Sequence, residues 1–108
     1  MENQSPFLAM QRVEGQLKGM LRALDTDLLN VEEKKGMATL RRLAVDTRLD
    51  IRDYELSETR DEQVKYALVA TKRLGKLEAA ILATGSMLGA ADVAQLTAYL
   101  AQIQSRLL

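Results

Sequence analysis

Apolar residues recur at alternating steps of three and four along four separate stretches of the chain. Met10, Val13, Leu17, Met20 and Leu24 form the first. Met37, Leu40, Ala44, Thr47, Ile51 and Tyr54 form the second, with one polar member. The third is Ala67, Ala70, Leu74, Leu77 and Ile81, and the fourth Val93, Leu96, Leu100, Ile103 and Leu107. A period near 3.5 residues puts each set on one seam of an α-helix, the pattern of helices that pack lengthwise on one another as in coiled coils.

Punctuation between the seams agrees. Ser5 is a good N-cap, and Pro6 at the first helical position lacks an N–H that would go unpaired there. Asp25, Thr26 and Asp27 read as a break. Asn30 with Glu33 makes a capping box, and Glu32 and Glu33 suit the positive end of a helix dipole. No Gly or Pro separates the second seam from the third, so one long helix is an alternative there. Two features favour a break. Thr59 with Glu62 repeats the capping box, and the second seam continued in phase would turn Glu58, Asp61 and Lys65 inward. Gly85 is expected as a left-handed residue closing the third helix near Thr84, with Gly89 and Asp92 opening the fourth. The expected fold class is all-α: an antiparallel four-helix bundle with helices near 6–25, 31–55, 60–84 and 90–106, forming a single domain over 1–108 that is dimeric.

Composition narrows the chemistry. The chain of 108 residues has no histidine and no cysteine. That removes the commonest general base, the commonest metal ligand and the best nucleophile, together with disulfides and thiolate zinc sites. Acidic pairs such as Asp50 with Asp53 and Asp61 with Glu62 fall on outward faces. Four-helix di-metal sites need an inward Glu-x-x-His, which is absent. Gly85 to Gly89 lacks the Gly-Lys-Ser/Thr ending of a phosphate-binding loop. No catalytic residue, cofactor site or metal site is assigned. Fifteen basic residues balance fifteen acidic ones, so no global field draws nucleic acid or an anionic membrane. The first residues show no signal-peptide pattern, and the longest apolar runs, such as Ala79 to Ala83, are far too short to span a bilayer. A cytoplasmic protein is expected.

Candidate sites are therefore surfaces. Only Asp92 and Arg106 are charged between Ala79 and Leu108. A helix so poor in charge is covered on most sides, either as the central helix of a monomer or as a homodimer face. The dimer reading assigns Leu88, Val93, Leu96, Leu100, Ile103 and Leu107 to the interface, with Ala94, Ala98 and Ala101 allowing close approach. The second helix carries a minor apolar stripe, Val45, Leu49 and Leu56, nearly opposite its seam. Lys34, Arg41, Arg48 and Arg52 flank it as a basic ridge, and Asp46, Asp50 and Asp53 as an acidic one. Like charges four apart, such as Arg48 with Arg52, repel within a helix, and a complementary partner would relieve this. Lys34, Arg41, Val45, Arg48, Leu49 and Arg52 are the expected partner contacts. Gly15 and Gly19 read either as tolerated surface glycines or as a close helix contact.

The segment Arg12-Val-Glu-Gly-Gln-Leu-Lys-Gly-Met20 resembles the first-helix motif of the copper- and formaldehyde-sensing repressors, small all-helical oligomers that bind DNA. The resemblance covers nine residues of 108. Members of that family sense through Cys and His, and this chain has neither, so the likeness implies no more than an oligomeric regulator. The leading functional expectation is a non-enzymatic, bacterial-style adaptor, chaperone or regulator that acts as a helical homo-oligomer and binds another protein. The first alternative is a nucleic-acid-associated regulator using Lys34, Arg41, Arg42 and Arg48, disfavoured by the neutral charge. The second is a structural helical subunit of a larger assembly.

Overall fold

The computed structural model describes residues 5–107. The described chain is helical throughout, without strands. It runs α1 (Pro6–Arg22), a 3-10 turn (Thr26–Leu28), α2 (Val31–Glu55), α3 (Arg60–Ala83), the single turn α4 (Gly85–Leu88) and α5 (Ala90–Ser105). The four long helices pack against each other as a bundle. α2 lies against α1 and, most extensively, against α3; α5 closes the arrangement by touching both α1 and α3.

Helix starts follow the caps. The Ser5 side chain accepts from the Leu8 N–H, with Pro6 in the first turn. At α2 the capping box is reciprocal: Asn30 Oδ1 accepts from Glu33 N–H at 2.8 Å, and Glu33 Oε1 accepts from Asn30 N–H at 3.0 Å. At α3 only half the box forms. Thr59 Oγ1 accepts from Glu62 N–H, while the Glu62 carboxylate turns to the Glu58 N–H instead. Helices α2 and α3 are thus separate, as the phase change in their seams requires.

Two ends differ from expectation. α1 stops at Arg22 because Asp25 accepts from the Asp27 N–H and seeds a 3-10 turn in place of a last helical turn. Gly85 is not left-handed. The Thr84 hydroxyl donates to the carbonyls of Ala80 and Ile81, and Gly85 opens the unforeseen turn α4. The positive φ, +90°, falls at Gly89, where the chain turns from α4 into α5. A side chain at that φ would be strained.

The seams form the core. The buried residues of α2 are Met37, Leu40, Ala44, Thr47, Ile51 and Tyr54, and those of α3 are Ala67, Ala70, Leu74, Leu77 and Ile81. On α1, Met10, Val13 and Leu17 are joined by Ala9, Leu21 and Glu14, while Met20 and, just past the helix end, Leu24 pack at the edge. The buried Thr47 donates its hydroxyl to the Leu43 carbonyl at 2.6 Å, so the one polar seam member is satisfied within its own helix.

Candidate functional site

The ridges that sequence reading offered to a partner find complements within the chain. Arg48, on the basic side of α2, donates its Nε–H to Oε2 of Glu14 on α1, and Lys18 holds the other carboxylate oxygen at 2.9 Å. On the acidic side, Arg73 of α3 donates its Nε–H to Asp50 at 3.0 Å and lies 3.8 Å from Asp46 through Nη1. α2 is therefore clasped by ion pairs on both flanks. The like-charge spacing that suggested an external partner is relieved by α1 and α3. Sequence reading missed Glu14 and Arg73. The signal for Glu14 was its place beside Val13 and Leu17, on a face too apolar for an unpaired carboxylate.

Glu14 is buried, at 6% exposure. Burial alone would push its carboxyl pKa up. The hydrogen bonds and positive charges of Lys18 and Arg48 outweigh burial and hold it below its ordinary value.

The other ridge residues divide. Lys34, Arg41 and Arg52 are exposed, while Val45 and Leu49 are partly covered and Leu56 is open. Arg52 approaches its neighbour Asp53, at 3.7 Å. The expected partner residues therefore share one side of α2, but Arg48 among them is engaged internally.

The residues expected at a dimer interface are placed differently. Leu88, Leu96, Leu100, Ile103 and Leu107 are buried inside the single chain, and Val93 packs against the same core. Their helix packs against α1 and α3. A seam records that a helix is covered but not which chain covers it. What α5 turns outward is Ala91, Ala94, Ala98, Ala101 and Ser105, all exposed.

Beside it, α3 exposes Val64, Leu68, Val69 and Leu82. This is the densest set of open large aliphatics among the described residues; the others, Leu8, Leu28, Val31 and Leu56, lie in other elements. Gly15 and Gly19 face open space: a Cβ added at either would meet nothing within 4 Å, so they make no close helix contact among the described residues.

Open depressions lie among the described residues. One, of about 190 Å³, lies between the start of α2 (Asn30, Glu32, Glu33) and Ala83, Thr84, Ser86 and Met87. Another lies along Val69, Lys72, Arg73 and Lys76. Among the described residues no three acidic side chains converge as a metal site would require, and no helix is long and apolar enough to cross a membrane. No family model matches the chain, and neither does any curated protein or solved structure.

Proposed function

We propose that the chain is a protein–protein interaction module without catalytic activity: a small cytoplasmic adaptor, chaperone or regulator built as an antiparallel four-helix bundle that self-associates. The observation that carries this reading is a group of large aliphatics on α3, Val64, Leu68, Val69 and Leu82, that stay open to water although the core is already filled. Val64, Leu68 and Val69 lie within two turns of one another, and clustered exposed aliphatics mark contact surfaces in soluble proteins. Basic Lys34 and Arg41 on α2 make no ion pair among the described residues and remain available to a protein partner. Sedimentation equilibrium across the micromolar range tests the reading. A concentration-dependent dimer supports it, and a monomer throughout removes self-association from it.

The second reading is nucleic-acid contact through Lys34, Arg41 and Arg42, three exposed cations on α2. Titration against random duplex DNA separates the two. Binding that weakens steeply with salt favours the second reading, and no binding at low salt ends it.

A further inference from the structure

Charge is divided unevenly over the bundle. The Glu14–Arg48 link lies on the outer edge of the α1–α2 contact. Laid out at about 100° per residue, Lys34, Arg41 and Arg52 fall within about 40° of Arg48 on α2. On α1, Lys18 and Arg22 follow Glu14 outward, and Arg12 lies beyond them on the same exposed side. The two helices run antiparallel, with Glu14 level with Arg48 and Phe7 with Glu55, so Arg22 comes level with Arg41 and Arg12 with Arg52. The outer face of the α1–α2 pair is thus a field of cations. Its carboxylates among the described residues are Glu14, already shared by Lys18 and Arg48, and Glu55 at one end. Arg12, Arg22, Lys34 and Arg41 take part in no ion pair among the described residues. The chain as a whole is neutral, so an acidic excess elsewhere matches this face.

We infer that this face binds an acidic segment of a partner protein. The inference rests on the protein-interaction reading above and names the chemistry of the partner. Cations held side by side without counter-charges repel one another, and carboxylates laid across both helices relieve this. The cations are strung along the pair, which suits an extended acidic stretch and not a single small anion.

Length decides between a protein and a nucleic acid. The α2 row from Lys34 to Arg52 is about 27 Å long at 1.5 Å per residue. Carboxylates close it at both ends: Asp25 and Asp27 in the connection from α1 to α2, Glu55 and Glu58 where α2 gives way to α3. A duplex is charged continuously and would run past the cations onto these carboxylates, within the screening length of about 8 Å at physiological salt. An acidic helix of about 18 residues ends before them. Nor does the exposed arc hold an aromatic residue for bases to stack on. Relief favours a polypeptide as well. Gly15 and Gly19 alternate with the α1 cations, and a Cβ added at either meets nothing within 4 Å. The missing side chains let a partner backbone lie close to α1 while its carboxylates reach the arginines.

Fluorescence anisotropy with a labelled peptide of alternating Glu and Ala, about 18 residues long, tests the inference at about 50 mM salt. The wild type is compared with the double variant Arg22→Glu, Arg41→Glu and with Lys72→Glu, Lys76→Glu, which changes the net charge equally but on α3. All four positions are exposed, and circular dichroism checks folding. The wild type and the α3 variant are expected to bind alike, more weakly as salt rises. The α1–α2 variant is expected to bind at least about tenfold more weakly at unchanged helicity. Equal loss in both variants, or wild-type binding that ignores salt, overturns the face. Tighter wild-type binding to a random duplex of about 30 base pairs overturns the choice of partner in favour of nucleic acid. Sedimentation equilibrium on the same samples keeps the two claims apart. A wild type that dimerises but does not bind the peptide overturns this inference and leaves the interaction reading standing. A monomer that does not bind the peptide overturns both.

Discussion

The Arg48 guanidinium on α2 and the Glu14 carboxylate on α1, 34 residues apart in sequence, form a charge-assisted hydrogen bond at the edge of the core. One heptad away, the Phe7 N–H donates to Glu55 Oε1 at 3.0 Å. Contacts that advance along α1 thus retreat along α2, and the two polar links pin the register of the pair. Apolar seams alone tolerate a slip of one heptad; an internal carboxylate does not, because a slip would bury it unpaired.

The Glu14–Arg48 link predicts an asymmetry between neighbouring arginines. Arg48→Glu sets two carboxylates together at the α1–α2 edge and is expected to lower stability by about 1–3 kcal/mol. Arg41→Glu, one heptad earlier and exposed, should stay within about 0.5 kcal/mol of the wild type. Urea denaturation of both variants checks this. Equal effects would mean that the ion pair contributes nothing.

Acid should weaken the same link. Glu14 is held below its ordinary value of 4.5 by Lys18 and Arg48. A carboxylate with a lowered folded-state pKa stabilises fully above its unfolded value and loses that contribution as pH falls through the folded one. Wild type and Glu14→Gln should therefore differ most near neutral pH and converge below pH 4.5. A stability gap that widened on acidification would contradict the assignment.

On the other flank, Arg73 bridges α3 to Asp46 and Asp50 of α2. Arg73→Ala is expected to cost about 1 kcal/mol, since all three partners are partly screened by water. Lys72→Ala, adjacent in sequence but without an ion pair among the described residues, should cost less than half as much. A double-mutant cycle between Arg73 and Asp50 isolates the coupling.

Much of this architecture is written locally. The seams of α2 and α3 name their buried residues one for one because a heptad pattern and a helix face are the same fact. Ser5 and Asn30 announce their helices because capping is a bond across three residues. What sequence could not show is where charges on one helix meet those on another. Arg48 and Asp50 read as ridges awaiting a partner because Glu14 and Arg73, dozens of residues away, lie outside any local pattern. The α5 seam was ambiguous for the same reason: its spacing demands a cover without saying that α1 and α3 provide it.

Glycines separate into opposite signs. At Gly15 and Gly19 an added Cβ meets nothing within 4 Å, and both lie inside α1. Each Gly→Ala there should stabilise by about 0.5–1 kcal/mol through the lower entropy of the unfolded chain. At Gly36 an added Cβ would come within 3.0 Å of Thr84 Cγ2, which is tied down because the Thr84 hydroxyl is bonded to Ala80 and Ile81. Gly36→Ala should therefore lose that gain and destabilise, by about 1 kcal/mol. Thermal melts of the three variants decide it, and stabilisation at Gly36 would show that the α3–α4 corner yields freely.

Leu100 distinguishes an internal seam from an inter-chain one. Were it part of an inter-chain seam, Leu100→Asp would yield a folded monomer. The side chain is instead 2% exposed within one chain, in a core with Leu96 and Ile103. An aspartate there would lose the burial of a leucine, about 1.5–3 kcal/mol, and add the desolvation of a charge with no partner. Against the roughly 5–15 kcal/mol that holds a small domain together, that is enough to unfold much of the population. Circular dichroism should show helicity lost at every concentration. A fully helical Leu100→Asp monomer would return this seam to the role of an interface.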